Sequence, residues 1–186
     1  MAPSNRDTEP LRIFLTGEPS CGKTTVVKAT ADLLSHRGLK VGGMTSNEIR
    51  EHGVRTGFTV EDIVTHEQGT LADSSENIGP RVGKYKVNLM DLERIGGGAI
   101  ERALQEADVV IVDELGPMEL HSLQFIQLVH EALASPRQLL ATIHKRASHP
   151  LILEVKSSRV CEVIEVSASN RDRLPFQLAE RFTRVK

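Results

Sequence analysis

The chain has 186 residues, a length that suits one compact domain better than two small cores. Its 23 Lys and Arg against 25 Asp and Glu leave a net charge of −2, so there is no strong nucleic-acid signal, and 3% aromatics with no Trp weigh against the stacking platforms of an RNA-reading module. No apolar run approaches the ~18 residues of a membrane span, and the polar start MAPSNRDTEPLR has no signal-peptide pattern, so a cytoplasmic protein of no membrane is expected. Two cysteines, Cys21 and Cys161, are too few for a disulfide scaffold and are read as reduced thiols.

Residues 1–10 carry no apolar period and are read as a disordered tail, leaving residues 11–186 as a single domain. Leu11 to Thr16 is a short run of branched and aromatic residues closing on Gly17, the pattern of a buried strand. From Lys23 to about His36, Val27, Ala31 and Leu34 recur at helical spacing, and Gly38 stops the helix. Leu39–Thr45 and Val54–Val60 predict two strands, the second entered through a turn at Glu51-His52-Gly53. Thr65 to Pro80, rich in Gly, Ser, Asp and Asn, predicts a long loop. Asn88 offers a helix N-cap before a helix toward Ala107, which Gly96-Gly97-Gly98 should split.

Val109-Val110-Ile111-Val112 is apolar throughout, as expected of a strand covered on both faces, with Asp113 at its end. A helix over Ser122–Ala134 stopped by Pro136, strands over Leu139–Ile143 and Val160–Val166, an intervening helix near Leu151–Lys156 and a last helix from Pro175 complete the chain. Alternating strands and helices predict an α/β fold, a doubly wound, mostly parallel sheet with helices on both faces. Its ligand should lie beyond the carboxyl ends of the strands.

The chemistry-bearing residues fall at those ends. Gly17-Glu18-Pro19-Ser20-Cys21-Gly22-Lys23-Thr24 fits G-x-x-x-x-G-K-[ST] at every fixed position, between a predicted strand and a predicted helix, the context of a P-loop NTPase. Backbone amides and the helix dipole surround phosphates in such a loop, Lys23 neutralises the β- and γ-phosphates, and the Thr24 hydroxyl is placed for Mg²⁺. Asp113 supplies the second half of the metal site, and Glu114 beside it orients or deprotonates the attacking water. Glu119 is a lesser candidate for that role. For positive charge on the transition state, Arg81 leads, with Lys84, Lys145 and Arg146 as further choices, although an exposed surface charge is the simpler reading of each. Asn170 and Arg171 are placed to flank the base. Cys21, near a helix N-terminus, has the setting of a reactive thiol, yet a small residue at a variable loop position accounts for it equally.

Four segments together resemble one family: Gly17 to Thr25, Gly79-Pro80-Arg81-Val82-Gly83-Lys84-Tyr85, Val112-Asp113-Glu114-Leu115-Gly116-Pro117-Met118-Glu119 and Asn170-Arg171-Asp172. This is the cancer-related nucleoside triphosphatase family, known from human and from thermophiles, and the resemblance runs from about Leu11 to Phe182. It implies a broad-specificity, Mg²⁺-dependent enzyme that hydrolyses NTPs to NDP and phosphate. It also implies nucleotide contacts from Gly17 to Thr24 and from Val109, Val110, Ile111, Val112, Asp113, Glu114, Leu115 and Gly116. The Ser20-Cys21 pair, the Gly96-Gly97-Gly98 run and the polar N-terminal extension depart from the pattern.

Two other readings remain open. One is a small-molecule or nucleotide kinase whose acceptor pocket is lined by Arg50, Arg55 and Arg81; the other is a nucleotide-dependent binding module with slow hydrolysis that resets the Thr65–Pro80 loop. Nucleoside triphosphates are the expected partners in all three, and no feature of the sequence names a protein partner.

Overall fold

The structure is a computed structural model that describes residues 9–184, so all but the last two residues of the tail expected over residues 1–10 lie outside the described residues. A nine-stranded sheet in the order β5-β6-β4-β3-β2-β7-β8-β1-β9 runs through the middle. Its strands are β1 (Arg12–Thr16), β2 (Val41–Glu51), β3 (Val54–Asp62), β4 (Gln68–Asp73), β5 (Arg81–Val82), β6 (Tyr85–Val87), β7 (Val109–Leu115), β8 (Gln138–Ile143) and β9 (Glu162–Glu165). From β2 through β7, β8 and β1 to β9 every pairing is parallel, and from β2 outward to β5 every pairing is antiparallel.

The helices are α1 (Lys23–His36), α2 (Leu89–Asp91), which continues through a π-helical turn Leu92–Gly97 into α3 (Gly98–Glu106), α4 (Leu123–Ala134), α5 (Pro150–Ser157) and α6 (Leu174–Arg184). Because side chains alternate along a strand, β1 and β7 feed two cores at once. Ile13, Leu15, Val109 and Ile111 pack under α1 and α6, whereas Phe14, Val110 and Val112 pack under α3, α4 and α5. The doubly wound expectation therefore holds in the parallel half, and the antiparallel half is an extension that alternation of strands and helices does not announce.

Four expectations change. The loop expected over Thr65–Pro80 contains β4, which pairs with β3 and buries Leu71 and Ala72; its Gln, Gly, Thr and Asp read as loop because only two of its side chains enter the core. Gly96-Gly97-Gly98 does not split the helix but widens it into the π turn. A Cβ at Gly96 would stand 3.2 Å from Val60 Cγ2 and 3.4 Å from Met44 Sδ, so the missing side chain lets this turn lie close against the sheet. Finally, β7 runs on to Leu115, so Asp113 lies inside the strand rather than at its end. The second strand also outruns expectation: Ser46–Glu51 continue past the partner strand β7 and pair only with β3, forming a wall beyond the parallel core.

The three adjacent glycines separate packing from propensity. Gly98 has helical dihedrals and nothing within 4 Å of a Cβ, so Gly98→Ala should raise stability by about 0.4–1 kcal/mol. Gly96→Val, two residues away, should lower it by about 1–3 kcal/mol through overpacking. Urea denaturation of the two variants measures both signs.

Candidate active site

The loop Glu18–Gly22 joins β1 to α1 at the carboxyl edge of the sheet. It is pinned from both sides. A Cβ at Gly17 (φ +153°) would stand 2.7 Å from Cys21 Sγ and 2.7 Å from the Val166 carbonyl oxygen, so only glycine lets the loop turn this tightly over the last strand. Glu18 accepts from the Cys21 amide, and Gly22, at φ +106°, caps α1 without offering a side-chain acceptor. The first amides of α1, at Lys23, Thr24 and Thr25, thus have no side-chain cap, which is the arrangement that receives an anion. Outside the loop, Lys145 bridges Glu18 at 3.0 Å and Glu165 at 2.7 Å, tying the loop to β9.

Lys23 opens α1 and is nearly buried, and its Nζ stands 4.0 Å from Glu114 Oε2 on β7. The parallel order β7-β8-β1 sets this meeting, because it leaves one strand between the loop and the carboxylates. Asp113 is fully buried; Oδ1 accepts from the Thr142 hydroxyl of β8 at 2.6 Å, while Oδ2 has no hydrogen-bond partner among the described residues. Burial pushes its carboxyl up to about 6, against the pull of the Thr142 and Thr24 hydroxyls. Thr24 and Asp113 thus offer oxygen donors side by side, one of them orphaned.

Unlike Asp113, Glu114 and Glu119 line a cleft. Burial raises Glu114, and Lys23 opposes the rise. Glu119, in the 3₁₀ turn Glu119–His121, is almost fully buried and accepts from the Gly116 amide at 3.1 Å, and no ion pair involves it among the described residues. Burial first and the Glu114 charge second lift it to about 8, so at neutral pH Glu119 is a neutral acid and unsuited to act as a base. The weaker of the two sequence candidates for the base is thereby separated from Glu114 by its surroundings.

The cleft, about 960 Å³, runs from Gly17 and Lys23 past Glu114 and Glu119 to the antiparallel wall. Glu18, Pro19, Ser20, Gly22, Lys23, Thr24, Thr25, Glu114 and Gly116 all face it, as do Lys145 and Arg146. The partly buried Cys21 packs beneath the loop against the α1/α6 core. Several expected residues lie elsewhere. Val109, Val110, Ile111, Val112 and Leu115 are buried in the core, where they position Asp113 and Glu114 but present no side chain to a ligand. Asn170 spends its amide on the β9–α6 loop, donating to Glu165 O and accepting from Ser167 N, which leaves Arg171 exposed beside Gly22. Arg81 sits on the outer strand β5, exposed, with Nε donating to Gly83 O, and is not brought to Lys23 and Glu114. Sequence reasoning missed Thr142 and His144: a threonine inside an apolar strand and a histidine after it carry no motif, and only the neighbouring strand reveals what they face.

Residues 12–179 match the NTPase family. The chain belongs to that family. Its NTPase relatives include nucleoside-triphosphatase THEP1 of Thermofilum pendens, 49% identical over 89% of this chain and 92% of the relative, and THEP1 of Methanosarcina acetivorans, 45% identical over 94% and 98%. Among solved NTPase structures, THEP1 of Aquifex aeolicus superposes with a TM-score of 0.80 at 32% identity, covering 90% of this chain and 96% of that one. A human cancer-related nucleoside triphosphatase follows with a TM-score of 0.76 at 31% identity over 91% and 96%.

The buried acids give this NTPase a pH-dependent stability. Between the ordinary carboxylate range and about 8, the folded protein holds the Glu119 proton that the unfolded chain has released, so stability falls as pH rises through that window. Asp113 adds to the fall up to about 6. Glu119→Gln should flatten the slope and raise the melting temperature near pH 8, as read by thermal denaturation of nucleotide-free protein from about pH 5 to 8. An unchanged slope would remove Glu119 as its source.

Proposed function

We propose that this nucleoside triphosphatase uses Lys23, Glu114 and the loop Gly17–Thr25 to hydrolyse NTPs to NDP and phosphate, with Mg²⁺ as cofactor, within one domain spanning residues 11–186. NTP hydrolysis comes with membership of the NTPase family; the roles of single residues, the metal and a broad choice of base are our reading. The observation that carries it is the grouping of an uncapped helix start, a nearly buried lysine and Glu114 in one cleft, with Asp113 buried next to Glu114.

The loop amides and Lys23 bind the β- and γ-phosphate oxygens, where they stabilise charge that grows in the transition state. Glu114, whose rise by burial Lys23 opposes, orients a water and takes its proton as the water oxygen bonds to the γ-phosphorus and the bond to the β-phosphate oxygen breaks. The residues fit a magnesium ion: the orphaned Oδ2 of Asp113 and the Thr24 hydroxyl are hard oxygen donors, few in number, as suits an ion that keeps phosphate and water ligands. Bound there, the ion neutralises phosphate charge. Of the candidate cations for the transition state, Lys145 and Arg146 already face the cleft, whereas Arg81 does not line it and donates to Gly83 O.

A second reading has an observation of its own. The cleft continues beyond Glu114 to Glu48, Arg50, Arg55, Phe58 and Tyr85, with Arg55 held by Glu48 at 2.8 Å and by the Tyr85 hydroxyl at 3.0 Å. A phosphoryl acceptor bound there would make the protein a kinase. For the binding-module reading, β4 takes Gln68–Asp73 out of the loop it required and leaves residues 74–80 irregular. No helix of the described residues is long and apolar enough to cross a membrane, and a cytoplasmic location is part of our reading.

Incubation with Mg²⁺ and each common NTP, with and without candidate acceptors, should release free phosphate in the absence of acceptor. Lys23→Ala and Glu114→Gln should each lower kcat by about 10²-fold or more, and Glu114→Gln should leave KM nearly unchanged. EDTA should abolish turnover. Phosphate that appears only on an acceptor would decide for the kinase, and equal activity of wild type and Lys23→Ala would sink both readings.

A further inference from the structure

The proposed function puts the γ-phosphate by Glu114 and Lys23, and on that reading the remainder of a bound nucleotide would leave the loop toward Thr25 and Arg171. A separate groove of about 480 Å³ opens there, between α1 and α6. Thr25 lines both the cleft and the groove, so the two cavities meet at the first turn of α1. Down one side run Ala29 and Leu33 of α1; on the other stand Arg171, Pro175 and Phe176.

Phe176 is the odd residue of this groove. Its helix packs on α1 and the sheet through Leu174, Pro175, Leu178, Ala179 and Phe182, all buried, while Phe176 is 60% exposed and serves none of that packing. The chain has only five Phe and one Tyr, and this one is spent on a wall beside the phosphate loop. Arg171, exposed on the same wall, sets its Cδ 3.5 Å from where a Cβ of Gly22 would be, so its planar guanidinium sits next to the loop. The polar side chains of the groove, Asp32, His36 and Asp172, are all solvent-exposed, so no desolvated donor or acceptor is fixed to read a base edge.

We infer that the α1–α6 groove is the nucleobase site: a planar purine or pyrimidine stacks on Phe176 and against Arg171 and is held by shape and stacking alone. This rests on the reading that Gly17–Thr25 binds the triphosphate. It gives a physical reason for a broad choice of base, because strong discrimination requires buried polar groups that a wrong base leaves unpaired, and stacking tolerates every π-face.

The test compares Phe176→Ala with wild type in Mg²⁺-dependent binding of non-hydrolysable ATP and GTP analogues and of inorganic tripolyphosphate, which has the phosphates and no base. Stacking on an aromatic side chain is worth enough that both analogues should bind about tenfold more weakly or worse. Tripolyphosphate affinity should not change, and Phe176→Trp should restore both analogues. Equal weakening of tripolyphosphate would mean that the substitution damages the loop, and unchanged analogue affinity would mean that the base does not touch Phe176; either overturns the assignment. So would a loss of analogue but not tripolyphosphate affinity in Arg55→Ala, which would put the base at the opposite end of the cleft. If wild-type protein binds neither analogue nor tripolyphosphate, the nucleotide reading fails, and the groove assignment with it.

Discussion

Everything in the active cleft depends on three carboxylates held out of water beside the nearly buried Lys23. Asp113, Glu114 and Glu119 are raised above the ordinary carboxylate range by burial, and Lys23 is the cation that stands against Glu114. Removing charges from water is costly, and such a site lowers its energy by holding protons or by gaining positive charge. The protein divides these solutions. Glu119 keeps a proton, Lys23 opposes the rise of Glu114, and Asp113 keeps an oxygen free beside Thr24. A site with this imbalance is suited to a ligand that arrives together with a cation, and that is how a nucleoside triphosphate binds to a phosphate loop.

The parallel half of the sheet makes that arrangement possible. β7 and β8 place Asp113 opposite Thr142, and β1 carries the loop one strand further on, so donor, acceptor and cation come from three strands with no contact in sequence. The cost of burying Asp113 is met by the two-sided core around Val109–Val112, whose side chains fill both layers and keep the strand from relaxing toward solvent. The antiparallel half answers a different need. Its long β2–β3 hairpin overhangs the cleft and turns an open sheet edge into a wall, with Arg55 packed over Phe58 at 5.1 Å and near Tyr85 at 5.9 Å.

How much of this was legible depended on whether the signal was local. The loop, α1, the Val109–Val112 strand and α4 each have their cause within a few residues, and each was read from the sequence. β4 escaped because strand pairing with β3 supplies most of its reason to exist, and its own residues resemble a loop. The glycine triplet was taken for a break because propensity counts only backbone freedom, whereas the decisive fact is how near Val60 and Met44 lie to Gly96. Arg81 and Asn170 were plausible by type, yet the fold gives one to the outer edge of the sheet and the other to a loop's own hydrogen bonds.

The sequence by itself determined the chemistry on offer: a phosphate loop with Lys23 and Thr24, an acidic pair at Asp113 and Glu114, and an alternation of elements that folds into a doubly wound sheet. These follow from residue type and spacing, which act over one turn of helix or the length of one strand. Tertiary structure alone decided the division of labour, namely which carboxylate keeps its proton, which arginine reaches the cleft and what Thr142 is for. Those outcomes are set by burial and by charges brought together from distant strands, and neither quantity exists until the chain has packed.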